Sequence, residues 1–406
     1  MDFNDTPAEA AFRSEVRAWL QKNAAPRDQS RAGARERPSD YVQRSKEWQR
    51  KKAEAGYACI TWPKEFGGRG GAPIQQVIYD QEEAEFDVPP NVSLISLGMC
   101  VPTVLAVGDN ETKQRFVGPA IRGEHIWCQL FSEPAAGSDV AGLRTRAVRQ
   151  GDEWVINGQK VWTSGAHYAD YGLLLARSNP ELPKHGGLTM FWIDMKAPGV
   201  EARPIHQMSG DSEFNEVFFT DLRISDSQRL GAVGAGWKTA LVTLMNERLA
   251  ITDAYGPALK DFIALARSIS TADGSLLDNA ALRERIADWH VATAGLRYTR
   301  FRTVTALSRG QTPGPQASIS KFISGAKAQE LASVALDMMD QLGVIDDPQA
   351  APLQGLFHKM FMASPGIRIA GGTDEILQNI VAERVLGLPG EVRVDKDGAF
   401  KDLAGR

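Results

Sequence analysis

The spacing of apolar residues divides this chain into a helical first third, a middle of short alternating runs and a helical last part. A helix is predicted from Pro7, because Thr6 is a favoured N-cap, proline is favoured at the first helical position and Glu9 completes a capping box. The apolar face of this helix comprises Phe12, Val16, Trp19 and Leu20. Helical patterns recur up to about position 121, so residues 1–124 are predicted to form a helical domain.

Short runs with a period of two dominate the middle of the chain and predict strands. These runs cover 145–149, 153–156, 159–163, 171–177, 188–194 and 216–224. Between two of them, Asn157-Gly158 predicts a type I′ hairpin turn, because both central residues of that turn need a positive φ. Residues 125–234 are therefore predicted to form a β domain.

After Gly236 the apolar period becomes helical again. The predicted helices cover 237–265, 279–307, 317–342 and 373–386. Four long helices would form a bundle over residues 235–390. The tail, 391–406, is rich in glycine and charge, and we expect it to fray. The predicted fold class is mainly α with a middle β domain.

Composition narrows the class of protein. The 406 residues are 43% hydrophobic, enough for two or three packed units. A net charge of −4 and a pI near 6.0, with acids and bases interspersed, argue against a nucleic-acid partner. The three cysteines and six histidines lack the spacing of metal ligands. No apolar run approaches the roughly 20 residues that span a membrane. We expect a cytoplasmic enzyme without a metal and without a membrane span.

Three motifs carry the candidate chemistry. They read Leu-Phe-Ser-Glu-Pro-Ala-Ala-Gly-Ser-Asp-Val-Ala-Gly at 130–142, Trp-Val-Ile-Asn-Gly-Gln-Lys-Val-Trp-Thr-Ser at 154–164, and Gly-Gly-Thr-Asp-Glu-Ile-Leu-Gln-Asn-Ile-Val-Ala-Glu-Arg at 371–384. In content, order and separation they resemble the acyl-CoA dehydrogenases over nearly the whole chain. The resemblance implies an N-terminal helical domain, a middle β-barrel or sandwich and a C-terminal four-helix bundle. It also implies a FAD-dependent enzyme that converts an acyl-CoA to a 2,3-enoyl-CoA and passes electrons to an electron-transfer flavoprotein.

Desaturation beside a thioester carbonyl needs a base, donors to the carbonyl oxygen and a flavin that accepts hydride. The resemblance implies flavin contacts for Gln129, Phe131, Ser132, Trp162, Ser164, Gln341, Thr373 and Glu375, and substrate contacts for Ser138 and Arg248. Simpler interpretations remain open for some of these residues. Ser138 could be an ordinary turn serine, and an isolated strand tryptophan such as Trp162 is usually part of a core.

The catalytic base is the least usual assignment. Where many members of the family have a glutamate before Gly-Thr, this chain has Gly371, whose backbone N–H the resemblance still implies as a donor to the thioester oxygen. Other members carry the base on the first bundle helix, directly before an arginine, and Glu247-Arg248 matches that position. On a helical wheel, Glu247 lies at the margin of an apolar stripe that includes Arg248. The stripe comprises Trp237, Leu241, Leu244 and Ile251. A surface ion pair worth roughly 0–1 kcal/mol is the simpler alternative for this carboxylate.

Two departures from the family pattern concern contacts between subunits. Many members of the family have a Gln-x-x-Gly-Gly-x-Gly segment that contacts the adenine half of FAD, and this chain retains only part of it, starting at Gln341. Many members also have an Arg-x-x-Phe-Gly segment, whose arginine and phenylalanine are absent from residues 270–274 of this chain. We expect a homodimer or homotetramer, with a hetero-oligomer as the alternative. A half-site, non-catalytic subunit of such a hetero-oligomer therefore stays open. A flavin oxidase of the same fold stays open too, because nothing in the motifs excludes oxygen.

Overall fold

The computed structural model describes residues 5–27, 38–250, 258–271, 274–308, 317–345, 347–390, 392, 395 and 397–403. Its α-helices are α1 (Pro7–Asn23), α2 (Pro38–Glu54), α3 (Pro73–Glu83), α4 (Val101–Val107), α5 (Asn110–Ile121), α6 (Gly236–Ala250), α7 (Leu259–Ser268), α8 (Ala280–Ser308), α9 (Ala317–Met339), α10 (Leu356–Ile369), α11 (Asp374–Ile380) and α12 (Phe400–Leu403). Its strands are β1 (Ala25–Pro26), β2 (Phe86–Asp87), β3 (Trp127–Leu130), β4 (Arg146–Gln150), β5 (Glu153–Lys160), β6 (Tyr171–Arg177), β7 (Leu188–Asp194), β8 (Val200–Pro204), β9 (Asn215–Ser225), β10 (Arg229–Leu230), β11 (Ser270–Thr271) and β12 (Gly274–Ser275).

Internal contacts divide the chain into two compact units. The helical unit comprises Met1–Pro38, Gly71–Val88 and Ile251–Pro389, and the sheet unit comprises Ser39–Gly70, Pro89–Ala250 and Gly390–Arg406. The predicted fold class, mainly α with a middle β domain, is confirmed. The division at residues 124, 234 and 390 stays a prediction.

The first helix of the helical unit starts as predicted. The hydroxyl of Thr6 accepts a hydrogen bond from the backbone N–H of Glu9, and the carboxylate of Glu9 accepts one from the N–H of Thr6. Three of the four predicted face residues, Phe12, Val16 and Leu20, are buried. This helix is therefore specified by local sequence at its start and by burial along one face.

The helical unit also contains an aromatic core. The ring of Phe262 on α7 meets Trp289 of α8 and Phe357 of α10 edge to face, with centroid distances of 5.0 and 6.1 Å. The sequence analysis missed α10, because Pro365 and Gly366 near its end lower helix propensity. The helix predicted over 237–265 corresponds to α6 and α7, and the part of that prediction over 251–257 lies outside the described residues.

The sheet unit is built on one sheet with the strand order β10-β7-β6-β4-β5-β9-β8, in which β3 also pairs with β6. Strand β3 runs parallel to β6, with Trp127 opposite Tyr171, and β4 joins the same strand further along, with Arg146 opposite Arg177. The first motif, which connects β3 to β4, therefore lies where these two strands meet on β6. The sequence analysis missed β8, a short strand that pairs with β9 at the end of the strand order and carries mostly exposed residues.

The predicted hairpin at Asn157-Gly158 is wrong. Both residues lie inside β5, which pairs with β4 and β9 and shifts register against β9 at this point. The carboxamide of Asn157 exchanges two hydrogen bonds with Asp221, of 3.0 and 2.9 Å. A Cβ on Gly158 would lie 2.6 Å from the hydroxyl oxygen of Thr145. Asn-Gly here therefore forms a bulge with a close backbone approach instead of a turn.

The expectation that the tail frays is wrong for its described part. Helix α12 docks on the loop between β6 and β7, where the backbone N–H of Phe400 donates to the carbonyl of Leu182 and that of Lys401 donates to the carbonyl of Pro180, both at 3.0 Å. The side chain of Phe400 is buried. Tertiary packing, which composition does not reveal, orders these residues.

Candidate active site

The first two motifs are bonded to each other in the sheet unit. The backbone N–H of Val161 donates to the carbonyl of Ser132 at 2.9 Å, and the ammonium of Lys160 donates to the carbonyl of Phe131 at 2.9 Å. The same ammonium lies 2.8 Å from the carboxylate of Glu133. The segment predicted to line the flavin is thus held against the end of the strand that precedes Trp162.

Lys160 and Glu133 form a buried ion pair that the sequence analysis did not single out. The carboxylate of Glu133 also accepts from the backbone N–H groups of Arg144 and Thr145, at 2.6 and 2.8 Å. Burial alone would raise the pKa of Glu133, but Lys160 and these donors hold the pKa below its ordinary value. Burial lowers the pKa of Lys160 to about 8. Both residues stand inside the quoted motifs, but they are 27 positions apart and nothing in the local sequence predicts that they pair.

The end of β5 presents an exposed aromatic ring beside buried polar atoms. Trp162 has a φ of 60° and its side chain is 58% exposed, and its ring meets that of Phe214 edge to face. Among the described residues, the side-chain oxygens of Gln129 and Thr163 are buried and have no hydrogen-bond partner. A tryptophan of the core would be buried. The exposure of Trp162 therefore argues against the simpler interpretation, in which its ring is part of the core. A flat aromatic group with hydrogen-bonding edges fits such a set.

A cavity of about 190 Å³ opens beside Ser164 in the sheet unit. Its lining includes Tyr41, Leu94, Ile95 and Tyr168. Burial is the main cause that raises the pKa of the Tyr41 and Tyr168 phenols. Both phenols therefore keep their proton at neutral pH and can donate hydrogen bonds. Ser164 therefore stands at a concave surface that combines apolar walls with polar groups.

Helix α6 places Glu247 on its packed side, which differs from the helical wheel. The residues of α6 that are buried between positions 236 and 243 follow one face. These residues are Gly236, Thr239, Ala240 and Thr243. Glu247 is the next residue on this face, while Leu241, from the expected apolar stripe, is 44% exposed. Small residues let this face of α6 approach its neighbours closely, while Trp237 and Leu244 of the expected stripe are partly buried against the same core.

The neighbour of Glu247 is a π-helical turn over Ser96–Cys100 that runs into α4. The hydroxyl of Thr243, one turn before Glu247, lies 2.9 Å from that of Thr103 on α4. Burial is the main cause that raises the pKa of the Cys100 thiol, and the neighbouring Cys128 and the carboxylate of Glu247 raise it further. Glu247 itself is half-buried, so its carboxylate is partly desolvated. It also lies beside a π-helical turn, a backbone feature often found at functional sites. The side chain of Arg248 lies outside the described residues.

The third motif lies in the helical unit and starts with two left-handed glycines. Gly371 has a φ of 66° and Gly372 a φ of 96°, so a side chain at either position would strain the backbone. The ammonium of Lys321 donates to the carbonyl of Gly372 at 2.5 Å. The chain has a glycine at position 371, where many members of the family have a glutamate, and the backbone at this position adopts a conformation that favours glycine.

Of the other predicted site residues in the helical unit, Glu375 and Gln341 are exposed and Thr373 is partly buried. Thr373 is the N-cap of α11 and accepts a hydrogen bond from the N–H of Ile376, as expected for the start of the helix predicted over 373–386. Glu375 is exposed in the first turn, whereas the neighbouring Asp374 is buried and paired with Arg368 at 2.6 Å. Gln341 is exposed in a 3₁₀ turn over Asp340–Val344.

In the part of the chain that the structure describes, no group of three histidine, cysteine or acidic side chains is arranged to hold a metal ion. Within the same ranges, none of the helices combines the length and the apolar character required to cross a bilayer.

Comparison with known families identifies the class of protein. Models of the acyl-CoA dehydrogenase N-terminal, middle and C-terminal domains match residues 6–124, 128–222 and 234–386. The chain belongs to the acyl-CoA dehydrogenase family, whose members are FAD-dependent flavoproteins, and it is an oxidoreductase that acts on CH–CH bonds. The resemblance predicted from the three motifs is confirmed.

Individual relatives carry the same name. Acyl-CoA dehydrogenase IpdE1 of Mycobacterium tuberculosis is 36% identical over 391 residues, which cover 94% of this chain and 98% of that protein. Acyl-CoA dehydrogenase FadE34 of the same organism is 39% identical over 340 residues, which are 83% of this chain but only 45% of FadE34. These names fit the dehydrogenase function and do not fit the flavin oxidase or the non-catalytic subunit.

Two solved structures share the fold over nearly the whole chain. The ChsE4-ChsE5 complex from Mycobacterium tuberculosis matches with a TM-score of 0.79 and 28% identity, covering 96% of this chain and 100% of the matched chain. The Tcur3481-Tcur3483 steroid ACAD matches with a TM-score of 0.80 and 26% identity, with the same coverage.

Proposed function

We propose that this protein is a FAD-dependent dehydrogenase that converts an acyl-CoA thioester to its 2,3-enoyl-CoA and passes the electrons to an electron-transfer flavoprotein. The observation that supports this most strongly is the position of Glu247. Its carboxylate follows the buried face of α6 and is close enough to the π-helical turn to raise the pKa of Cys100. A surface ion pair alone would not require a half-buried glutamate on the packed side of a helix.

The chain supplies the acid–base part of the reaction. Glu247 takes the proton from the α carbon of the thioester, and the backbone N–H of Gly371 stabilises the negative charge that develops on the thioester oxygen. FAD, when bound, supplies the acceptor for the hydride that leaves the β carbon. Ser138 and Arg248 contact the substrate in this proposal.

The proposed cofactor contacts are the residues that the motif resemblance implies. In the sheet unit, Gln129, Phe131, Ser132, Trp162 and Ser164 hold FAD, and the exposed ring of Trp162 together with the unpartnered oxygens of Gln129 and Thr163 supports this. In the helical unit, Gln341, Thr373 and Glu375 are proposed to contact it. The amide donors at the start of α11 suit a negatively charged or polar group.

The relatives support a proposal for the substrate class and for the assembly. Because a steroid acyl-CoA dehydrogenase shares 26% identity and the fold, we propose a bulky polycyclic acyl group among the substrates. We propose a homodimer or homotetramer. The ChsE4-ChsE5 and Tcur3481-Tcur3483 structures are each named for two proteins, and a second chain that completes the site is the alternative arrangement.

The test is a visible spectrum followed by anaerobic titration. The purified protein should show flavin absorption that bleaches with straight-chain, branched or steroid side-chain acyl-CoA, and the fastest bleaching identifies the acyl class. Bleaching followed by stoichiometric peroxide formation in air, without transfer to an electron-transfer flavoprotein, would contradict the proposal. A colourless protein that becomes yellow only when coexpressed with a second chain would favour the two-chain arrangement.

A further inference from the structure

The C-terminal tail is tied to the first motif by two cationic side chains. The ammonium of Lys184 lies 2.5 Å from the carboxylate of Asp395 in the tail and 3.0 Å from that of Asp139 in the motif. Burial lowers the pKa of Lys184, but these two carboxylates raise it further than burial lowers it. Lys184 is therefore a charged bridge between tail and motif.

The second bridge is Arg177, at the end of β6. One nitrogen of its guanidinium donates to the carbonyl of Ala141 at 2.5 Å, and another donates to the carbonyl of Lys184 at 2.7 Å. The ring of Phe400 covers the guanidinium, whose carbon lies 3.7 Å from the ring centroid. Arg177 is only 3% exposed. Phe400 thus keeps water from a buried cation that fixes the backbone of the motif.

The two bridges reach the start and the middle of one short turn. Asp139 precedes the 3₁₀ turn Val140–Gly142 and Ala141 lies inside it, while Ser138, the proposed contact to the pantetheine arm, directly precedes Asp139 and is exposed. An exposed serine on a turn has no packing of its own to hold it. Its position therefore depends on the bonds made by its neighbours.

We propose that Asp395 and residues 397–403 form a positioning strap for loop 137–143, and that the strap sets the affinity for the thioester substrate by ordering Ser138. The strap follows from contacts within the sheet unit, whereas its effect on substrate binding rests on the proposed function. The residues of the strap are positioning residues, because they act through Lys184 and Arg177.

The test compares Phe400→Ala with the matched control Phe218→Ala, which removes the ring beneath Arg203, 4.6 Å from its guanidinium, elsewhere in the sheet unit. Two readouts are used: hydrogen exchange of the amides of Gly142 and Leu143, which are bonded within the loop, and the Kd of coenzyme A. Phe400→Ala should speed exchange of these amides and raise the Kd roughly tenfold, the scale of a desolvated cation–π contact. Phe400→Tyr keeps an aromatic ring over Arg177, so its exchange rates and Kd should equal those of the wild type. Phe218→Ala should change neither the exchange rates nor the Kd.

Asp395→Asn provides a milder variant at a partly exposed site, and it should change both readouts in the same direction. Unchanged exchange in Phe400→Ala and Asp395→Asn would overturn the strap. Faster exchange with an unchanged Kd would overturn its link to the substrate. Absence of flavin absorption from the wild-type protein, both alone and coexpressed with a second chain, would instead overturn the proposed function and leave the exchange result as the measure of the strap.

Discussion

The ammonium of Lys160 lies 2.8 Å from the carboxylate of Glu133, and this buried pair joins the two motifs of the sheet unit. Removing one partner of a buried pair leaves the other charge without compensation, which costs about 3–5 kcal/mol. We predict that Lys160→Met lowers the free energy of unfolding by about 3 kcal/mol and reduces the FAD content of the purified protein. Chemical denaturation and the ratio of flavin to protein absorbance measure the two effects.

The matched control for this variant is Lys196→Met. Lys196 pairs with Asp170 at 3.0 Å, but its side chain is 75% exposed. An exposed pair is worth about 0–1 kcal/mol, so Lys196→Met should leave both stability and flavin content near those of the wild type. Equal losses in the two variants would show that the motif pair has no special role.

The same pair predicts a pH dependence of stability. The pKa of Glu133 in the folded protein lies below its ordinary value of 4.5, so its contribution is fully present above pH 4.5 and is lost as the pH falls through the folded pKa. Lys160, with a pKa of about 8, stays charged throughout this range. We predict that the stability difference between wild type and Glu133→Gln is fully present above pH 4.5 and shrinks as the pH falls below 4.5 through the folded pKa. Urea unfolding at a series of pH values measures it, and a constant difference would contradict the assignment.

The backbone at the third motif predicts a glycine requirement. Gly371 has a φ of 66°, and a left-handed conformation costs a residue with a Cβ about 1–2 kcal/mol. Gly371→Ala should therefore destabilise the protein by about 1 kcal/mol. In contrast, a Cβ at Gly366 in α10 would meet no atom within 4 Å, so Gly366→Ala should be neutral or stabilising by up to about 1 kcal/mol. Melting curves compare the two, and equal shifts would argue against a special backbone at position 371.

Local signals in the sequence predicted the elements that local interactions specify. The capping box of Thr6 and Glu9 gave the start of α1, and the apolar runs over 171–177 and 188–194 coincide with β6 and β7. The same reasoning failed where distant contacts decide. Asn157-Gly158 is a strong turn signal, yet pairing of β5 on both sides keeps it inside a strand.

The candidate site shows the same limit. Motif resemblance identified Glu247, but the helical wheel placed it at the margin of a stripe of large apolar residues, whereas in α6 it follows the fully buried face of small residues. Helix α6 contacts α4 and β7. Small side chains on the buried face of α6 allow this close packing. The roles of Lys160 and Arg177 could not be read from the sequence, since each depends on carbonyls and carboxylates many residues away.

The central claim is that Glu247 is the base, and anaerobic stopped-flow bleaching of Glu247→Gln tests it most directly. Glu201→Gln, at an exposed carboxylate of the sheet unit, is the control. We predict that Glu247→Gln retains its flavin and binds the acyl-CoA but bleaches about 100- to 10,000-fold more slowly, the range attributed to a positioned general base, while Glu201→Gln bleaches normally. Bleaching of Glu247→Gln at the wild-type rate would contradict the assignment.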